Sequence, residues 1–255
     1  MPSAEPGWIQ RLARGRVWRS IFRGEPPGTA RGNAQAVFQN LWLHFLPVKV
    51  RPHTLRFTYT FYLGGIAFLL FLVLAATGVA LMFYYVPSVE RAYHSIKDLQ
   101  FVVSFGPLLR NLHRWSAHAM VVVVVLHMAR VYYTASYKAP REFNWVVGVM
   151  LLLLTLGFSF TGMLLPWDQA GFWAATVGTG IVGCLPVVGK EVRLLLLGGD
   201  SVGQNALLRF YVLHCMALPL AMASLTATHF WRIRKDGGLS LPPSQESMAS
   251  EERVP

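Results

Sequence analysis

Residues 113–127 read HRWSAHAMVVVVVLH, an imidazole at each end of a stretch that contains five consecutive valines. Residues 214–229 read HCMALPLAMASLTATH, a second apolar stretch closed by histidine at both ends. At about 100° and 1.5 Å per residue, a helix of such length makes nearly four full turns and advances about 21 Å between its terminal histidines. His113 and His127, 14 residues apart, therefore share one helix face, and His214 and His229, 15 apart, repeat the pattern at nearly the same interval. Two such helices, face to face, sandwich two flat metal centres stacked along their length. Six-coordinate haem suits this arrangement, because a porphyrin supplies four equatorial nitrogens and two axial imidazoles leave the iron no open position. The plainer alternative is four unrelated core histidines. Imidazole is costly in an apolar span and tends to be functional there, and the matched intervals weigh against chance.

The surrounding composition fixes the environment. Of 255 residues, 54% are hydrophobic and 14% charged, against about 25% charged in an ordinary soluble domain. Windows of about 20 apolar residues mark helices that cross a hydrocarbon core of roughly 30 Å. Four are legible, at about Tyr59–Tyr85, Leu112–Tyr132, Trp145–Leu165 and Leu208–Trp231. Pro166 stops the third, and Pro219 interrupts the fourth, which a membrane helix tolerates. The expected fold is all-α, an integral-membrane four-helix bundle holding two stacked b haems.

The flanking helices carry a complementary signal. Gly64 or Gly65 to Gly78 spans 14 or 13 residues, and Gly148 to Gly162 spans 14. Glycine removes bulk where a macrocycle must lie, and the interval equals that of the histidines. Helix packing in membranes also uses glycine, so that reading stays open beside it.

The net charge of +11 does not point to nucleic acid, since the basic residues flank the apolar windows instead of lining one face. With four spans, sixteen of the 23 Lys and Arg fall on the side of both termini and seven opposite, so the positive-inside rule places both termini in the cytoplasm. Residues 1–50 mix arginines with Trp8, Ile9, Leu12, Trp18, Ile21 and Phe22. They read as a basic, partly interfacial segment on anionic lipid, with a transit peptide as the other reading. Residues 51–238 form the transmembrane domain and 239–255 a polar tail. Cys184 and Cys215 form neither a CxxCH site for covalent haem nor a zinc-like pair. Arg110, Arg114 and Arg130 stand beside the histidines, where a guanidinium fork matches a haem propionate; interfacial anchoring is the competing use. His118 lies about 140° off the His113 face, and His44, His53 and His94 lie outside the spans, so none is assigned a ligand role.

The strings HRWSAH, LHMARVYYTASYKAPREFNW, TGMLLPWDQAGFW, SVGQ, LRFYVLH and HFWRIRK occur in this order between about Leu41 and Gly238. Together they resemble the amino-terminal half of cytochrome b, in its split cytochrome b6 form. The resemblance implies that His113 pairs with His214 around a haem on the positive side of the membrane, and His127 with His229 around one on the negative side. It implies quinol oxidation at the positive side and quinone reduction at the negative side. One electron leaves to a Rieske iron-sulfur protein and onward to a c-type cytochrome or similar acceptor; the other crosses the two haems. Pro166 to Trp173 resembles one wall of the oxidation pocket, and Arg234 the residue near the negative-side quinone and propionates, with a membrane-edge anchor as its alternative.

Two departures matter. Where photosynthetic cytochrome b6 has a cysteine that tethers a c-type haem, this chain has Tyr62 before Leu63-Gly64-Gly65, so only two non-covalent b haems are expected. The sequence also stops after the fourth span, so a separate subunit is expected to supply the carboxy-terminal half with its Pro-Glu-Trp-Tyr loop. The implied whole is a dimeric complex in the bacterial inner (plasma) membrane. A di-haem anchor passing electrons between quinone and a peripheral redox enzyme is the alternative, which the WDQ and PREFNW strings disfavour; a haem-free structural or channel subunit is a third.

Overall fold

A computed structural model describes residues 57–236, and every regular element among them is helical. In chain order these are α1 (Phe57–Thr60), α2 (Leu63–Met82), α3 (Ala92–Phe101), α4 (Gly106–Tyr133), α5 (Glu142–Leu164), α6 (Gln169–Gly183), α7 (Gly189–Leu197), α8 (Gln204–Val212), a π turn (Leu213–Ala217) and α9 (Leu218–Lys235). The helices α2, α4, α5 and the continuous run Gln204–Lys235 are long and apolar enough to cross a membrane. Their outward residues are apolar, with Leu69, Val79, Val122 and Leu153 all exposed. Water is a poor neighbour for such a surface and lipid a good one, which makes this a multi-pass membrane chain. The basic segment expected over residues 1–50 and the tail over 239–255 lie outside the described residues.

The helix ends differ from the windows read in the sequence. The second helix starts at Gly106 and the fourth at Gln204, each about a turn or more ahead of its hydrophobic window, because polar residues such as Arg110 and Asn205 sit on the helix beyond the apolar stretch. The first helix is shorter than its window. Phe61 and Tyr62 both take φ of 50°, a left-handed conformation uncommon for non-glycine residues, and separate α1 from α2.

Backbone contacts divide the chain into two compact units. The larger comprises Leu63–Leu126 and Leu151–Ser224. Its tightest core is Leu164, Ala175, Leu197, Ala206 and Phe210, where α6 and α7 meet α5 and α8. Three helices here were not anticipated from the hydrophobic windows, since α3, α6 and α7 are short pieces outside the spans. Side chains secure their ends. Asp168 caps α6, its carboxylate accepting from the Gly171 N–H at 2.8 Å. Gln204 ties the start of α8 to the loop after α2, donating to the Pro87 carbonyl and accepting from the Val89 N–H, both at 2.9 Å. Arg209 donates to the Leu194 and Leu195 carbonyls at the end of α7, which terminates at Gly198 with φ of 69°. The Tyr85 hydroxyl donates to the Leu165 carbonyl, which holds the end of α5 just before Pro166.

The smaller unit contains, among the described residues, 57–62, 127–150 and 225–236. Its main polar feature is a buried ion pair on the last turn of α9, Arg232 to Asp236 at 3.0 Å, with the guanidinium stacked over Phe143 at 5.2 Å. Removing an N-cap carboxylate leaves an orphan helix N–H, so Asp168→Ala is expected to cost about 1 kcal/mol. Thermal unfolding in detergent should show the corresponding fall in Tm with the helix content of the folded state unchanged.

Candidate metal centres

Each unit holds one pair of the expected histidines. In the larger unit, His113 on α4 and His214 in the π turn face each other with ring centroids 6.4 Å apart and planes at 69°. With roughly 2 Å from a metal to each imidazole nitrogen, and about 1 Å from that nitrogen to its ring centre, two axial rings on one metal have centroids about 6 Å apart. The observed spacing matches. Among the described residues no cluster of three or more metal-ligating side chains occurs, so a metal here would have to bring most of its own ligands. A porphyrin does that.

Hydrogen bonds fix both rings. His113 Nδ1 lies 2.8 Å from Thr77 Oγ1, and His214 Nδ1 lies 3.0 Å from Thr161 Oγ1. Each threonine hydroxyl has one proton, and it is committed to its own helix: Thr77 donates to the Val73 carbonyl at 2.7 Å and Thr161 to the Gly157 carbonyl at 2.8 Å. The threonine oxygens are therefore acceptors, and the imidazole protons sit on Nδ1. That leaves Nε2 of both rings bare, with a lone pair to give to a metal.

Two of the flanking glycines lie directly against histidine rings. A Cβ at Gly162 would stand 2.8 Å from His214 Cε1, and one at Gly78 would stand 3.3 Å from His113 Cε1. These notches admit the imidazole edge itself against the helix backbone, where the sequence reading put them under a macrocycle. The next acceptors along each ring are the Leu74 and Phe158 carbonyls, each four residues before its glycine. An edge contact from Phe158 at 5.5 Å closes the other side of His214.

The smaller unit repeats part of this plan. His229 lies within electrostatic reach of His127, and its Cε1 is 3.9 Å from where a Gly148 Cβ would stand. The ring faces the Asn144 carbonyl, again four residues before the glycine. The residue preceding Gly148 is Val147, which has no hydroxyl, and His229 Nδ1 is buried without a hydrogen bond of good geometry among the described residues. Gly65 has nothing within 4 Å of its added Cβ, so it forms no comparable seat.

The π turn explains why one histidine interval is 15 and the other 14. Pro219 has no N–H to close an α turn, and the Leu218 N–H reaches back five residues to the Leu213 carbonyl. A π turn holds one residue more than the α turn it replaces. Along this one helix, the extra residue offsets the extra interval, and the register matches that of uninterrupted α4.

The arginines divide. Arg110 donates to Gln100 at 3.2 Å, and Arg114 is exposed one residue past His113. Arg130, three residues past His127, is half-buried, and so is Arg234, whose Nη1 is buried without a hydrogen bond among the described residues. His118 is exposed and packs edge-on against Trp115, and His94 packs against Tyr93; His44 and His53 lie outside the described residues. The Pro166–Trp173 segment forms an aromatic ledge, Trp167 on Phe172 at 6.2 Å and Phe172 on Trp173 at 5.7 Å, with Trp167 at φ of 52°. The two threonines were not singled out in the sequence. Their signal is a Thr-Gly dipeptide at 77–78 and again at 161–162.

Comparison with known proteins finds relatives over most of the chain. A family model described as Cytochrome b/b6/petB matches residues 48–237. Cytochrome b6 of Porphyra purpurea is 46% identical over 203 residues, covering 80% of this chain and 91% of the relative. Cytochrome b6 of Prochlorococcus marinus is 48% identical over 188 residues, covering 74% and 85%. Among solved structures, a chain of a hyperthermophilic respiratory complex III aligns with a TM-score of 0.67 at 28% identity. That alignment covers 81% of this chain and 54% of the other, so this chain spans about half the length of the one it matches.

The glycine seats generate a paired expectation. Gly162→Ala, which forces a methyl group against the His214 ring, should lower bound haem by about half, whereas Gly65→Ala, in open space, should leave it at the unaltered level. Haem per purified chain, measured as pyridine haemochrome, checks both.

Proposed function

Since the chain belongs to the cytochrome b/b6 family, whose members bind b-type haem within multi-subunit quinol oxidoreductase complexes, we propose that its four span histidines hold two b haems for transmembrane electron transfer. His113 and His214 hold one, and His127 and His229 the other. The observation that carries this reading is the opposed pair of imidazoles 6.4 Å apart, both with Nδ1 within hydrogen-bonding distance of a threonine hydroxyl and both seated in glycine notches. Bound there, haem with two axial imidazoles supplies one-electron transfer without an open coordination position.

The chain's own residues do the rest. Thr77 and Thr161 orient their rings through Nδ1 and leave Nε2 as the nitrogen that would hold the haem, the use that metal-binding histidines generally make of outer-shell acceptors. Arg110 and Arg114 at one end, and Arg130 and Arg234 at the other, supply cationic forks for the propionates. Arg234, with a guanidinium nitrogen buried and unpaired among the described residues, also fits a quinone oxygen at the negative side. The Pro166–Trp173 ledge, held by Tyr85 and by the Asp168 cap, serves as one wall of a quinol-oxidation pocket.

The partners follow from the same reading. This chain matches nearly the whole of cytochrome b6 and about half of the complex III chain, which supports a second subunit that carries the remaining half and completes the pocket. A Rieske iron-sulfur protein and a c-type cytochrome or similar acceptor take electrons on the positive side of a dimeric complex. The complex sits in the inner (plasma) membrane with both termini of this chain cytoplasmic, as the basic residues argue. Tyr62 offers no thiol for a covalent third haem.

Two non-covalent b haems per chain are expected from pyridine haemochrome stoichiometry on the purified protein. His127→Ala should remove one and leave the other; a variant that keeps two full b haems would refute the pairing.

A further inference from the structure

Lipid is a sufficient neighbour for most of the outward surface of the spans. The exposed residues of α2 are all glycine, alanine, isoleucine, phenylalanine, leucine or valine, and those of α5 beyond its first residue are valine, methionine or leucine. Helix α4 departs from this pattern. Asn111, Trp115 and His118 stand on it at i, i+4 and i+7, all three exposed. They lie about 140° to 200° around the helix from His113, so a haem held by His113 does not cover them.

His118 is the residue that lipid does not suit. Helix α4 has 28 residues. That is about 40 Å, with His118 about 18 Å from its first residue and about 22 Å from its last. A hydrocarbon core of roughly 30 Å, placed anywhere along that length, holds the His118 backbone at least about 8 Å from its nearer edge. An imidazole on a single methylene does not reach water from there, unlike the long stems of lysine and arginine. A neutral imidazole brings one N–H donor and one bare nitrogen, and hydrocarbon meets neither. The ring packs edge-on against Trp115 with centroids 5.7 Å apart, but an indole has a donor and no lone pair to accept with. His118 takes part in no hydrogen bond among the described residues. Ionisable side chains inside a membrane are costly and find a partner.

We propose that the Asn111–Trp115–His118 face of α4 is the seat of a membrane-crossing helix from another subunit, which brings a hydrogen-bond acceptor to the depth of His118. Lipid tails are as apolar as leucine, so membrane helices associate through close packing and interhelical hydrogen bonds. The spacing i, i+4, i+7 is that of a helix face laid along a second helix. Asn111 supplies an amide two turns nearer the start of α4, and Trp115 fills the space between. The inference rests on the reading above that further membrane subunits surround this chain, supported by an alignment that covers only 54% of the complex III chain. A second copy of this chain fits less well. A two-fold axis through this face would set His118 against His118. One imidazole N–H bonded to the other ring's nitrogen then leaves the second N–H without an acceptor.

The experiment is photocross-linking of the complex in its native membrane. The photoreactive analogue p-benzoylphenylalanine takes the place of Trp115, the complex is illuminated and purified, and adducts are mapped by mass spectrometry. Adducts to an apolar span of another subunit, with a hydroxyl, amide or carboxylate side chain about one turn from the attachment point, are the expected result. Adducts only to lipid, to a second copy of this chain or to its own residues 1–50 overturn the proposal. A second measurement removes the ring. In His118→Leu, the amount of that subunit retained per chain in detergent should fall about threefold, the size of one interhelical hydrogen bond. His118→Gln, which keeps a donor and an acceptor, should retain it, and haem per chain should stay at the unaltered level in both. Full retention in His118→Leu overturns the proposal, as does equal loss in the two variants. Absence of any other membrane subunit from the unaltered preparation overturns the underlying reading of a multi-subunit complex, and is seen before illumination.

Discussion

An imidazole in an apolar span has no water to orient the ring nitrogen that is not given to a metal, so a neighbouring side chain or carbonyl is the group that can do it. The site depends on that constraint. At His113 and His214 the Nδ1 proton is taken by a threonine hydroxyl, and the hydroxyl can accept because its own proton is already placed on the helix backbone. The arrangement requires the ring to approach a neighbouring helix to within hydrogen-bonding distance, and any Cβ at the point of approach would block it. Hence the glycines. At Gly162 the notch is deep enough that a methyl group would stand 2.8 Å from the ring.

The same constraint acts on the chain that carries the ligand. A side chain aimed at one seat must stay in register with a second ligand further along the same helix, and Pro219 threatens that register by withholding an N–H. The π turn over Leu213–Ala217 absorbs it: the Leu218 N–H closes a five-residue ring, and the turn gains one residue. An interval of 15 in this helix and 14 in α4 thereby serve one spatial repeat. A π turn stands at a ligand position here because the fault in the helix and the extra residue cancel.

Much of this was legible in the sequence, and the rest was hidden for physical reasons. Hydrophobic windows found the four spans because lipid imposes a long, uniform apolar run that nothing else in the chain imitates. The histidine intervals pointed to residues that do come together, His113 with His214 and His127 with His229, because a helix converts spacing into direction. Windows do not see α3, α6 and α7, which are short and owe their existence to end contacts such as the Asp168 cap and the Arg209 bonds to α7. Nor do they see that Gly106 and Gln204 begin helices, since polar residues can continue a helix past the hydrocarbon. Of the glycines singled out by spacing, Gly78, Gly148 and Gly162 lie beside histidine rings and Gly65 does not. Spacing gives position along a helix, and only the three-dimensional contact distinguishes room for a macrocycle from room for an imidazole.

Thr77 and Thr161 show where that boundary lies. A threonine beside a glycine in a membrane helix is unremarked by composition or periodicity, and its hydroxyl ordinarily bonds back to its own helix, as both do here. The back-bond leaves a second lone pair unused, and the His113 and His214 rings lie within its reach. The two units differ in more than one part: a threonine precedes the glycine at 78 and 162 and a valine at 148, and Gly65 forms no seat comparable to Gly78 and Gly162.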